Sequence, residues 1–173
     1  PLRVIEGFGL NGLWSNFFFL ALPILPLTYL FLRPIWKDKS NWVGYFIIGS
    51  CIGMGFACYL AGLNLGSVTK TTVLYYLTPA WATLFGIFLL GEQQTFGRWA
   101  SILCGLLGCV LVIELDVRSL SFDYYDIFGF ASGLIWSLGS VFVRKFNKID
   151  IASVMLPIYF FGAFITLIFI YFF

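Results

Sequence analysis

The chain is 173 residues long, 61% hydrophobic and 21% aromatic, with 10% charged residues and a net charge of +2. A soluble domain carries about 25% charged residues, so composition excludes a soluble fold and describes an integral membrane protein whose surroundings are the lipid bilayer. The small net charge points to no nucleic-acid partner, and the absence of His removes the commonest general base.

Intervals free of formal charge predict six transmembrane helices. The chain starts at Pro1 with no initiator Met and closes in the hydrophobic run 169–173, which reads as truncation at both ends. Its start lacks the basic region and small-residue cleavage site of a signal peptide. The first span lies between Glu6 and Arg33, with its core at 13–32; Pro23 and Pro26 predict a kink, and Arg33-Pro34 a stop. The second covers 42–65, where Gly49, Gly53 and Ala57 form a small-xxx-small seam that lets helices approach closely.

The third span, 71–91, is the centre of the reading. It is long enough to cross a bilayer as a helix and has Pro79 at its middle. A proline there leaves one carbonyl without its amide partner and bends the helix. In lipid that is tolerated where a neighbour or a wet cavity satisfies the freed group. At 100° per residue, Thr72, Tyr75, Tyr76, Pro79 and Thr83 share one face, a polar stripe at mid-membrane depth. Tyr75 and Tyr76 are read either as interfacial belt aromatics or as cavity lining. Lys70, at the entry, either snorkels to the outer interface or attracts an anionic or zwitterionic solute to a pathway mouth; its helical angle is opposite the stripe. Gly91 supplies a helix stop. Glu92 is placed to cap the next helix or pair with Arg98, a structural role set against that of a moving gate contact.

The fourth span is charge-free over 99–113 only, so its helix is expected to start near Thr95 and to let Arg98 and Glu114 snorkel. Ser101, Gly105, Gly108 and Cys109 make its seam. An acidic segment follows, with Glu114, Asp116, Asp123 and Asp126 against Arg118. The fifth span, 127–143, carries Gly129, Gly133 and Ser137 at spacing four, with Trp136 near its centre, and ends at Arg144-Lys145. A Trp N–H in hydrocarbon seeks a partner, which favours Trp136 as a cavity-lining residue. The sixth span covers 151–173 and contains Pro157.

Loops 33–41, 92–98 and 144–150 hold seven Lys and Arg residues, and the other side holds Arg3, Lys70 and Arg118. The positive-inside rule predicts that the three richer loops are cytoplasmic. All eight acids lie at span ends or in loops, so no internal proton site is expected. Ser and Thr have no base to activate them, which argues against an enzyme. Cys51, Cys58, Cys104 and Cys109 read as small apolar residues, and no metal or cofactor is expected.

The run L-T-P-A-W-A-T-L-F-G-I-F-L-L-G-E, followed by T-F-G-R-W and a Gly-rich helix, resembles the EamA family of the drug/metabolite transporter superfamily. The segment G-F-A-S-G-L-I-W-S-L-G-S-V-F-V-R-K resembles the opening helix of that family's second repeat. The resemblance implies an all-α carrier of ten helices in two five-helix repeats of opposite orientation. Residues 1–116 would be the first repeat without its first helix, and 117–173 the first two helices of the second. It further implies secondary transport of small metabolites, often export of amino acids or related compounds, across a bacterial inner membrane. Carried over residue by residue, Tyr75, Tyr76, Pro79, Trp81, Trp136 and Ser137 are lining candidates, although the helical angle of Trp81 puts it on the Lys70 face. Gly49/Gly53 and Gly129/Gly133 would be contacts on which helices slide. A structural or assembly membrane protein with no solute path is the alternative, and oligomeric state is left open.

Overall fold

The computed structural model of the chain describes residues 12–93, 95–113 and 123–173. Arg3, Glu6, Glu114, Asp116 and Arg118 lie outside the described residues, as does the side chain of Cys109. Eight α-helices are present among those described: α1 (Gly12–Ala21), α2 (Ile24–Lys37), α3 (Trp42–Leu65), α4 (Val68–Tyr75), α5 (Thr78–Leu90), α6 (Phe96–Ile113), α7 (Asp126–Lys145) and α8 (Ile151–Phe172). Helices α1 and α2 form one interrupted span, and α4 and α5 another.

Each interruption has a proline beside it. Pro23 cannot donate to the carbonyl four residues back, and the chain breaks at Leu22-Pro23 before α2 restarts. Pro26 sits in the first turn of α2, where a missing N–H costs little. Pro34 does not end the span as expected from Arg33-Pro34. The helix runs on to Lys37, because a proline in a late turn removes one hydrogen bond while its φ still suits a helix.

Helix α3 is the centre of the bundle, apolar all round and lined with glycine on more than one face. A Cβ added at Gly53 would stand 2.5 Å from the Ile158 carbonyl oxygen and 2.8 Å from the Gly162 amide, so α8 meets α3 backbone to backbone. Gly49 backs in the same way onto Pro157, and Gly55 onto Trp136 of α7. In lipid, where apolar burial between helices gains nothing over lipid contact, such close approach supplies the packing attraction. Tyr45, Ile48, Ile52, Ile149, Val154 and Ile158 close a core at one end of these three helices. The α4/α5 span packs along α7, where Gly129 faces the Thr71 backbone, and its first half also meets α3 at Gly62.

Chain direction follows from which ends meet. Gly44 near the start of α3 lies against Phe146 and Ile149 beyond the end of α7, and Gly66 after α3 lies against Tyr125 before α7, so α3 and α7 are antiparallel. Lys70 near the start of α4 pairs with Asp126 at the start of α7, and Glu92 after α5 pairs with Arg144 near the end of α7. The α4/α5 span and α7 are therefore parallel, so the chain must recross the bilayer between them. Five spans among the described residues are long and apolar enough to cross a membrane; α6, a shorter apolar helix about 27 Å long, is the one placed between α5 and α7 to make that crossing. Gly97, Gly105 and Gly108 have open space where a Cβ would be, so Gly105, expected on a packing seam, meets no neighbouring helix among the described residues.

Candidate solute site at the broken helix

The Val68–Leu90 span is 23 residues long and breaks at Tyr76-Leu77. Pro79 has no amide hydrogen to give the Tyr75 carbonyl. The side-chain hydroxyl of Thr78 donates to that carbonyl instead. The turn tightens: the Leu77 amide donates to the Leu74 carbonyl at 3.3 Å, and the Ala80 amide to the Leu77 carbonyl at 3.0 Å. Gly133 stands against the break, its absent Cβ leaving 3.2 Å to the carbonyl oxygens of both Leu74 and Tyr75. At the far end Gly91 adopts φ 66°, a left-handed stop that glycine takes without strain.

Aromatic rings gather beside the break. Tyr75 lies 4.6 Å from Tyr59 of α3, 6.1 Å from Trp136 of α7 and 6.4 Å from Tyr76, centroid to centroid. Trp136 meets Phe56 edge to face at 5.7 Å. Tyr76 is 50% exposed and Pro79 is exposed; together they form one wall of a hollow of about 410 Å³ whose other wall is α6.

The polar stripe does not share one environment, because the tighter turn at the break rotates the second half-helix against the first. Thr72 donates to the Val68 carbonyl at 2.7 Å. Thr83 is buried and donates to the Pro79 carbonyl at 2.9 Å. Ser137 is likewise buried and donates to the Leu134 carbonyl at 2.7 Å. Trp81 packs edge to face on Phe130 of α7 at 5.6 Å, on the face that also carries Lys70.

Ion pairs join this span to α7 at both ends. Lys70 Nζ is 3.5 Å from Asp126 Oδ2, and the Asp123 amide donates to the same oxygen at 2.9 Å. Asp126 reads in the sequence as one more acid of a polar loop; it is the first residue of α7 and only 2% exposed. At the other end Arg144 Nη1 lies 2.9 Å from Glu92 Oε1, and Arg98 Nη1 3.4 Å from Glu92 Oε2. Arg144 Nη2 also reaches the Ala82 carbonyl at 3.3 Å. Spacing alone proposes Arg98 as a partner of Glu92 and does not reveal Arg144. It misses Tyr59 and Phe56 as well; the one local signal for them is that the glycines Gly55 and Gly62 flank them on the helix that must approach α7 and α4 most closely.

Among the described residues the chain is all helical, with apolar helices long enough to cross a membrane, and it is of the multi-span membrane class. Residues 8–114 match the EamA-like transporter family, and the chain belongs to it. It is 26% identical over 137 residues to the uncharacterized transporter YoaV of Bacillus subtilis, covering 76% of this chain and 46% of that protein. It is 23% identical over 151 residues to the S-adenosylmethionine uptake transporter of Rickettsia prowazekii, covering 87% and 49%. Its identity to the uncharacterized transporter YyaM of Bacillus subtilis is 25% over 138 residues, covering 76% and 45%. The chain spans about half the length of these relatives. No solved structure matches it significantly.

Proposed function

We propose that the chain supplies the solute-facing wall of a secondary transporter that moves small metabolites, such as amino acids or related compounds, across a bacterial inner membrane by alternating access. The observation that carries this reading is the break at Tyr76-Leu77, with Pro79 and Tyr76 open to a hollow and Tyr75 edge to face with Trp136. A helix broken at mid-membrane is where carriers bind solute and where half-helices can move separately. The transporter names of the relatives support it.

In this reading Tyr75, Tyr76, Pro79 and Trp136 line the solute path, and Thr72, Thr83 and Ser137 stiffen its wall. Lys70 marks the outer mouth, and Glu92 is the inner contact that holds α5 to α7. The loops 33–41, 92–98 and 144–150 face the cytoplasm. Residues 1–116 form the larger part of one repeat, and 117–173 open the next.

Solute flux into vesicles carrying the full-length protein tests the reading. Tyr76→Ala and Trp136→Ala are expected to cut flux by about tenfold each at unchanged expression, the scale of losing one good contact to the solute; unchanged flux in both removes them from the path. One observation favours a passive scaffold instead: the hydroxyls of Thr72, Thr83 and Ser137 all bond within their own helices. Cysteines placed at 76 and 79 decide between the two. A water-soluble maleimide labels them if the hollow is wet, and leaves them unmodified if that face is sealed.

A further inference from the structure

We infer that the hollow between the broken helix and α6 is an anion subsite, in which Arg98 holds the carboxylate or phosphate of a small amphipathic molecule. The inference rests on the transport reading and names the charge of what is carried.

The hollow runs from Arg98, in the first turn of α6, to Tyr76 and Pro79 at the break, a space of about 410 Å³. That volume suits a molecule of metabolite size. The space exists because α6 presents Ser101 and Gly105, one turn apart, where a larger side chain would fill the gap; a Cβ at Gly105 would meet nothing within 4 Å among the described residues. Ile102 and Leu106 make its apolar floor, and Tyr76 closes the far end. The lining is thus apolar along its length with a guanidinium at one end.

The charge there is not balanced locally. Among the described residues Arg98 meets one carboxylate, that of Glu92, at 3.4 Å. The same carboxylate is held more closely by Arg144, at 2.9 Å and 3.0 Å to its two oxygens. Two guanidinium groups therefore share one acid. The end of the bundle they occupy carries Arg33, Lys37, Lys39, Arg98, Arg144, Lys145 and Lys148 against Asp38, Glu92 and Asp150. An anion entering the hollow meets a planar fork of N–H donors whose protein partner is already engaged, and its apolar body lies along Pro79 and Leu106. An amine would meet the same cation and be repelled.

Two sources share this chemistry: a free organic anion, and the phosphate of an anionic lipid. Equilibrium dialysis on the full-length protein in phosphatidylcholine nanodiscs, with labelled phenylacetate and phenethylamine as probes of one body and opposite charge, tests the first. Phenylacetate is expected to bind and phenethylamine not. Arg98→Gln should weaken phenylacetate by about tenfold or more, with Arg98→Lys intermediate. Gly105→Leu, which fills the hollow without touching a charge, should abolish binding in a protein that still folds. Retention of phosphatidylglycerol through purification tests the second source: loss of retained lipid in Arg98→Gln, with no phenylacetate binding in wild type, assigns the subsite to lipid. Equal binding of both probes, or no effect of Arg98→Gln and Gly105→Leu on either ligand, overturns the inference. Flux that falls in Tyr76→Ala while Arg98→Gln changes no binding would leave the transport reading standing and sink this one alone.

Discussion

The hydroxyl of Thr78 donates to the carbonyl of Tyr75, the one acceptor in this helix that Pro79 leaves without an amide partner. The break is therefore a built turn in which the carbonyl that Pro79 strands is satisfied within the chain. Removing the hydroxyl exposes the carbonyl, at a cost of about 1 kcal/mol or more in a low-dielectric setting. Thr78→Val should lower the thermal midpoint in detergent and Thr78→Ser should not. Adding Pro79→Ala to Thr78→Val should recover the loss, because residue 79 then donates its own amide. A double variant as unstable as Thr78→Val shows that the carbonyl was satisfied in another way.

Glycine position separates packing from propensity. At Gly53 a methyl group would press on the Ile158 carbonyl and the Gly162 amide, both backbone atoms that cannot swing aside. At Gly105 it would enter open space. Gly53→Ala should cost roughly 1–3 kcal/mol through overpacking. Gly105→Ala should be neutral or stabilise by up to about 1 kcal/mol through helix propensity. Unfolding midpoints of the two variants, measured side by side, check the contrast, and equal effects would mean that α3 and α8 are not in backbone contact.

Much of the fold is legible in the chain, since charge-free length and proline position are local. Helix α3 spans the 42–65 read from charge alone, Pro79 and Pro23 mark the two breaks, and Gly91 is a left-handed stop. Arg33-Pro34 misleads because a proline near the end of a span can be carried within the helix. Of the candidate site, the sequence names Tyr75, Tyr76 and Trp136, which lie together. It cannot name Tyr59, which joins Tyr75 from another helix, nor Arg144, 52 residues from Glu92. Helical phase places a side chain on a face; which neighbour that face meets depends on how the helices cross. Asp126 is the sharpest case, an acid in a polar segment that is buried where Lys70 and the Asp123 amide close on it and Gly129 packs on Thr71, one turn along.

Asp150 makes the entry to α8 sensitive to acid. Its carboxylate accepts from the Ser153 hydroxyl at 2.6 Å and from the amides of Ala152 and Ser153 at 3.3 and 3.2 Å. The Ser153 hydroxyl foremost, with those amides, holds its carboxyl below the usual carboxylate range. A depressed folded value means that the cap contributes in full above the unfolded value of about 4 and is lost as pH falls through the lower, folded one. Asp150→Ala should lower the thermal midpoint at neutral pH and narrow its gap to wild type as pH approaches about 3. A gap independent of pH would show that the cap carries no charge.

The two ion pairs that tie the broken span to α7 should differ in strength, because burial differs. The Asp126 side chain is 3% exposed and Lys70 21%, whereas Arg144 and Glu92 are 36% and 27%. Removing Lys70 as Met leaves a carboxylate short of compensation in a dry setting, which costs about 3–5 kcal/mol. Asp126→Asn added to Lys70→Met should recover part of that, since the buried charge is then gone. Arg144→Gln should cost no more than about 1 kcal/mol, and that loss should shrink in high salt. A double-mutant cycle at each pair, read by denaturant unfolding at low and high salt, checks the ordering. If coupling at Glu92–Arg144 equals or exceeds that at Lys70–Asp126, burial does not set the strength of these pairs and the Lys70 end of the broken helix is the looser one.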